Sequence, residues 1–180
     1  PESLLRFPDG ITGESFFQKN ASNLTAKWVR KKLITNGEEK VNYILCQDVA
    51  TLIYMINLGC IDLNPWNSRV GHLENPDYLI IDLDPEDISF EHVVKVALEF
   101  RKLFEKLDIP SFPKTSGARG MHLYIPMGAK YTYEQTRQFA ELLGYHVLGE
   151  IPELTSMRRG PKERQGKVYL DYLQNSRGQT

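Results

Sequence analysis

The stretch Tyr78-Leu79-Ile80-Ile81-Asp82-Leu83-Asp84-Pro85 constrains this chain more than any other. Its apolar opening reads as a buried strand, and two carboxylates follow, two residues apart, at its end. Side chains alternate across a strand, so Asp82 and Asp84 share one face. Like charges held that close repel unless a cation lies between them. Hard carboxylate oxygens of this kind suit Mg²⁺ or Mn²⁺ beside substrate phosphates. Pro85 cannot donate to a sheet ladder, so it is expected to end or edge the strand and leave the pair near an opening. A solvated strand end that merely starts a turn is the plainer alternative.

The 180 residues are expected to form one domain, 1–180, with a substantial core. No apolar run approaches the roughly 18 residues of a membrane span, so no membrane association is expected. No signal peptide is visible, although the chain opens at Pro1 without a Met. Cys46 and Cys60 lie in apolar surroundings and read as buried free thiols of a reducing cytosol. Nothing resembles a zinc site.

A net charge of −1 does not advertise nucleic-acid binding, but the charge is segregated. Lys19, Lys27, Arg30, Lys31, Lys32 and Lys40 cluster against only Glu38 and Glu39. Arg158, Arg159, Lys162, Arg164, Lys167 and Arg177 cluster against Glu163 and Asp171. Such segments make local basic patches on a neutral protein, or simply two solvated faces.

Local signals supply an outline. Residues 6–10 read as a turn around Pro8-Asp9-Gly10, and 41–45 as a short strand. Asp48 caps a helix to about Leu58, closed by Gly59. Residues 61–71 read as irregular. Ser89 caps a helix to about Leu107 with a stripe of Val93, Val96, Ala97, Phe100, Leu103, Phe104 and Leu107. Strands follow at 111–115 and 121–126. Thr132 with Gln135 forms a capping box for a helix to about Val147, and 167–173 is a last strand. Helices packed on a mixed sheet give an α+β fold.

Two further segments carry chemistry. Thr115-Ser116-Gly117-Ala118-Arg119-Gly120-Met121-His122 is a strand, a tight Gly-x-x-Gly turn and a second strand. Gly117 and Gly120 permit φ > 0 and a close backbone approach to an anion. Ser116 offers a hydroxyl, Arg119 a forked cation, and His122 a ring N–H. Together they make a triphosphate cradle that is not of the Walker type. A plain hairpin with a core histidine is the alternative. In Lys167-Val168-Tyr169-Leu170-Asp171-Tyr172-Leu173 one carboxylate sits inside an apolar strand and needs a cation, either a basic side chain or a metal shared with Asp82 and Asp84. Neighbouring acids, a distant third acid and a phosphate cradle are the parts of a two-metal phosphoryl or nucleotidyl transfer site.

The order Asp-x-Asp, Ser-Gly-x-x-Gly-x-His, then an apolar-flanked Asp resembles the archaeo-eukaryotic primase superfamily. The wider text is similar to the polymerase domain of bacterial ATP-dependent DNA ligase D. The phrases that carry this are Arg6-Phe7-Pro8-Asp9-Gly10, Phe16-Phe17-Gln18-Lys19, Asn64-Pro65-Trp66, the segments around Asp82 and His122, and residues 167–175. The resemblance implies a primase-polymerase catalytic core with mixed and antiparallel sheets flanked by helices. It implies a DNA-directed nucleotidyltransferase that extends primers and fills gaps in bacterial non-homologous end joining, favouring ribonucleotides over dNTPs. Two Mn²⁺ or Mg²⁺ ions would be held by Asp82, Asp84 and Asp171. Ser116, Gly117, Arg119, Gly120 and His122 would bind the nucleotide. Phe16, Phe17 and Lys19, with the basic run through Lys32, would meet DNA, core packing being the equal alternative for the aromatic pair. The implied partners are DNA ends or gapped duplex, NTPs, a fused or associated ATP-dependent ligase domain and Ku. The implied location is the bacterial cytoplasm, at the nucleoid.

The chain departs from the family pattern in places. Asp62 and Asn64 stand where a histidine is usual before Pro65-Trp66. A Pro-Tyr-Ser-x-Arg segment and an N-terminal lysine-bearing region are absent, so the chain reads as the core fragment of a longer polypeptide. A non-catalytic DNA-end binding module and a de novo primase are the rival readings.

Overall fold

The computed structural model describes residues 1–36 and 38–179. The chain folds as two compact units, Pro1–Val70 and Gly71–Gln179.

The first unit is a five-stranded antiparallel sheet with one helix. It comprises β1 (Glu2–Arg6), β2 (Phe16–Gln18), β3 (Lys31–Asn36), β4 (Glu39–Ile44), α1 (Val49–Asn57) and β5 (Cys60–Pro65). The order is β2-β1-β4-β3, with β5 also paired to β1. Leu4, Val29, Ile44, Met55 and Cys60 form its core. The turn at 7–10 is present, with Gly10 N–H donating to Phe7 O at 3.1 Å. So is the cap of α1, where Asp48 Oδ1 accepts from Thr51 N–H at 2.7 Å. The segment expected to be irregular starts instead as β5, with Leu63 opposite Leu4 and Asn64 opposite Ser3. Asp and Asn are poor strand formers, and pairing with β1 overrides that preference.

The second unit holds β6 (Tyr78–Glu86), α2 (Phe90–Lys106), β7 (Phe112–Thr115), β8 (Met121–Pro126), α3 (Tyr133–Glu150), β9 (Thr155–Ser156) and β10 (Lys167–Asp171). The sheet order is β7-β8-β6-β10-β9, antiparallel except for β9 beside β10. This α+β arrangement is the expected one. Strand alternation sends Leu79, Ile81, Leu83, Leu123, Ile125, Val168 and Leu170 to one face. There they pack against Val93, Val96, Phe100, Leu103 and Phe104 of α2 and Ala140, Leu143 and Val147 of α3. Both helices therefore cover the same face and leave the other open. The capping box of α3 is complete, with Gln135 N–H donating to Thr132 Oγ1 at 3.2 Å and Thr132 N–H to Gln135 Oε1 at 3.0 Å. Ser89 occupies the cap position of α2 without capping a backbone N–H. Leu107, assigned to the stripe, follows the last helical residue and is 48% exposed. Among the described residues no helix is long and apolar enough to cross a membrane.

Pro85 neither ends β6 nor puts it at a sheet edge; β6 is the central strand and runs on to Glu86. The register explains why proline is tolerated. Pairing to β8 stops at Leu83 opposite Met121, whereas pairing to β10 continues to Glu86 opposite Lys167. Glu86 O accepts from Gly166 N–H on the β10 side, so Pro85 turns its nitrogen to the side that β8 has already left. The strand has a local edge there.

Candidate active site

The open face of the second sheet carries what the helix-covered face excludes. Asp82 and Asp84 project from it by alternation, opposite in sense to Ile81 and Leu83. The register then adds neighbours. Asp82 lies directly between His122 of β8 and Asp171 of β10. His122 in turn lies opposite Lys114 of β7. Lys114, His122, Asp82 and Asp171 thus form one rung across four strands, cationic at one end and anionic at the other. One step along, Asp84 lies opposite Tyr169.

The electrostatics of the rung are unfavourable without a cation. Burial, with Asp84 and Asp171 adding repulsion, pushes Asp82 up to about 7. Burial and then Asp171 raise Asp84 as well, against the pull of Arg164, His122 and Arg119. Burial, with the charge of Lys114 adding to it, holds His122 below the ordinary imidazole value. The His122 Nε2 to Asp82 Oδ1 approach of 3.4 Å is therefore no ion pair at neutral pH, since the ring is neutral there. Asp82 Oδ1 is buried and accepts no hydrogen bond. Asp171 is oriented by its own chain, Oδ1 accepting from Leu173 N–H at 2.8 Å.

The glycine turn joins β7 to β8 beside this rung, against β6 at Leu83 and Asp84. Ser116 N–H donates to Gly120 O at 3.0 Å, and Gly120 N–H donates to Ser116 Oγ at 3.0 Å. Ala118 N–H also points at that oxygen, at 3.4 Å. The Ser116 hydroxyl thereby braces the turn and keeps its own hydrogen to donate outward. Gly117 has φ +92°, the left-handed region that glycine tolerates. Gly120 is needed for a different reason: a Cβ there would lie 2.4 Å from Leu83 O and 3.3 Å from Asp84 Oδ1. The turn is pressed against β6, which seats exposed Arg119 where its charge acts on Asp84.

Asp82, Asp84, Asp171, Ser116, Gly117, Arg119, Gly120 and His122 accordingly all belong to one surface of the second unit. Phe16, Phe17 and Lys19 belong to the first unit. Phe16 and Phe17 stand on edge strand β2, 47% and 49% exposed, outside the core that one reading gave them. The Arg6 guanidinium lies 5.1 Å from the Phe16 ring centre. Lys19 is exposed just beyond the strand. Asp62 and Asn64 lie on β5.

Two residues of the site escaped sequence reading. Lys114 entered it through register alone. Arg164 lies 3.1 Å (Nε) from Glu86 Oε2, stacks at 4.4 Å over the Tyr169 ring, and draws Asp84 down. Its membership of the basic run at 158–177 was the only signal.

Three hard carboxylates on one face, one with an orphaned buried oxygen, fit an Mg²⁺ or Mn²⁺ site and no softer metal. Among the described residues no three His, Cys, Asp or Glu side chains are drawn to metal-ligand spacing.

A family model, the LigD primase-polymerase domain, matches residues 1–180. The multifunctional non-homologous end joining protein LigD of Pseudomonas aeruginosa is 33% identical over 179 residues, 99% of this chain and 21% of that protein. The bifunctional non-homologous end joining protein LigD of Bacillus subtilis is 35% identical over 181 residues, 99% of this chain and 29% of that protein. The chain thus spans less than a third of these relatives. A solved structure, the polymerase domain of Mycobacterium tuberculosis ligase D in complex with DNA, superposes with a TM-score of 0.88 at 23% identity. It covers 99% of this chain and 66% of that one, and shows the fold to be the same.

Proposed function

Because this chain belongs to the LigD primase-polymerase domain family, we propose that it is a metal-dependent, DNA-directed nucleotidyltransferase that extends primers and fills gaps in non-homologous end joining, favouring ribonucleotides. One observation carries the reading: Asp82 stands between Asp171 and His122 on one sheet face, and the glycine turn bearing Ser116 and Arg119 abuts the same strand at Asp84. The DNA bound to the M. tuberculosis domain and the names of the curated relatives support the choice of substrate and pathway.

In this reading Asp82, Asp84 and Asp171 would hold two Mn²⁺ or Mg²⁺ ions, which would supply Lewis acidity toward an attacking hydroxyl and a leaving pyrophosphate. The Ser116 hydroxyl, Arg119 and the His122 ring N–H bind the triphosphate by charge-assisted hydrogen bonds. The primer 3′-oxygen forms a bond to the α-phosphorus, its proton goes to solvent, and the bond to the bridging oxygen breaks to release pyrophosphate. Neutral His122 adds a donor without adding charge to the metal side. Phe16 and Phe17 present faces on which bases stack, and Lys19 meets backbone phosphate. A ligase domain and Ku are the partners this role calls for, on one polypeptide or as separate proteins.

The test is primer extension on a gapped duplex bearing a 5′-phosphate, with Mn²⁺ and either rNTPs or dNTPs, Asp82→Ala beside wild type. Templated addition that the variant loses, and that is stronger with rNTPs, is the expected result. A folded Asp82→Ala protein extending at wild-type rate overturns the reading. DNA binding without extension, indifferent to metal and to Asp171→Ala, favours a non-catalytic end-binding module instead.

A further inference from the structure

Lys114 is the fourth member of the rung, and the reaction as described gives it nothing to do. It stands on β7, directly opposite His122, whose other neighbour is Asp82. Cross-strand partners project to the same face. The alternation confirms the sense: Pro113 of β7, and Ser111 just before the strand, line an apolar groove with Leu98, Ala97 and Phe104 of α2, on the helix-covered side. Lys114 therefore rises on the carboxylate side, exposed, and its charge acts on His122. It enters no ion pair among the described residues.

A solvated lysine on an edge strand is ordinarily a guard against strand pairing. Its place in this rung argues for more. Adjacent strands lie about 4.8 Å apart, so Lys114 sits about 10 Å from Asp82 with His122 midway. An extended anion lying along this row from the carboxylate end, where a cation would hold it, and outward over His122 would end at Lys114. A polyphosphate is such an anion: linear and charged along its whole length. A flexible ammonium suits its outer end, where no planar fork geometry is demanded.

Resting on the nucleotidyltransferase reading, we propose that Lys114 binds the outer phosphates of the incoming nucleoside triphosphate, continuing the cradle of Ser116, Arg119 and His122 across β7. It is a binding residue and takes no part in bond making. Loss of its charge weakens capture of the triphosphate and leaves turnover of bound nucleotide intact.

Titration calorimetry of the whole chain with inorganic tripolyphosphate, ATP and AMP tests this, on wild type, Lys114→Gln, Lys114→Arg and the remote control Lys102→Gln. The expected result is about tenfold weaker tripolyphosphate and ATP binding by Lys114→Gln, the loss of one charge-assisted contact. AMP binding should be unchanged, Lys114→Arg close to wild type, and Lys102→Gln unaffected. In primer extension Lys114→Gln should raise KM for rNTP about tenfold at near-normal kcat. Equal tripolyphosphate affinity of Lys114→Gln and wild type overturns the inference. So does a Lys114→Gln defect confined to duplex DNA, which would make Lys114 a contact to the nucleic-acid backbone. Wild type that extends primers while Lys114→Gln keeps its KM sinks this inference alone. Wild type that neither binds tripolyphosphate nor extends primers sinks the parent reading with it.

Discussion

Asp82 and Asp171 are direct cross-strand partners, one on β6 and the other on β10, with their carboxylates on the same open face. Like charges directly opposite on a sheet are destabilising, and Asp84 adds a third. The strands hold them together because their other faces are core: Ile81, Leu83 and Leu170 are at most 1% exposed. Burial on one side of the sheet maintains repulsion on the other.

Stability without metal should fall as pH rises. Asp82 titrates at about 7 folded against an ordinary 3.8, so between those values the folded state holds a proton that the unfolded chain has released. Unfolding free energy then decreases with pH across about 4 to 7. Thermal melts in chelator from pH 5 to 8 should show Tm dropping more steeply for wild type than for Asp82→Asn. Parallel curves would place the repulsion elsewhere.

Divalent metal should stabilise the protein through these acids. Mn²⁺ at a hundred times its Kd adds about 2.7 kcal/mol to folding by mass action. Differential scanning fluorimetry should show Tm rising with Mn²⁺, reversed by chelator, with the rise largely lost in Asp82→Asn and Asp171→Asn. An equal rise in both variants would assign the metal to another site.

The two turn glycines should respond differently to alanine. At Gly120 the added methyl meets Leu83 O at 2.4 Å, a backbone atom that cannot step aside, so Gly120→Ala should cost about 1–3 kcal/mol and detach the turn from β6. At Gly117 the methyl meets open space, and only the positive φ is strained, for about 1 kcal/mol. Urea melts of the two variants, with ATP affinity beside them, check the order; a milder Gly120→Ala contradicts it.

Asn175 should be a stability residue beneath the site. Its Oδ1 accepts from Ile80 N–H at 2.8 Å, and its Nδ2 donates to Ile80 O at 2.6 Å and to Tyr172 O at 2.8 Å. It continues the β10 side of β6 after β10 has ended. Asn175→Ala strands two buried backbone groups and should cost about 2–3 kcal/mol at unchanged m-value in urea. A loss below about 0.5 kcal/mol would mean that water replaces the side chain.

Legibility followed range. The caps at Asp48 and Thr132 and the stripe of α2 were readable because a cap or a helix face is settled within a few residues. Strand β8 was readable between a glycine turn and Pro126. Strands β1, β2, β3 and β9 gave no usable signal, and β5 was misread, since short strands with Lys, Asp or Asn exist only by virtue of their partners. At the site the carboxylates, the turn and His122 could be named, but not Lys114, whose face depends on the register of the hairpin, or Arg164, whose partner Glu86 is distant in the chain.

By itself the sequence determined the chemistry of the parts: paired acids two apart on one strand face, a glycine turn with polar donors, and apolar periods that demand a core beneath them. Those are consequences of local alternation and residue type. Only the tertiary structure decided which parts meet. It set Asp171 beside Asp82, His122 on its other side and Lys114 beyond, and it let Pro85 sit inside a central strand. Register is fixed by burying one whole face at once, and a slip of one residue would have turned every one of these side chains into the core.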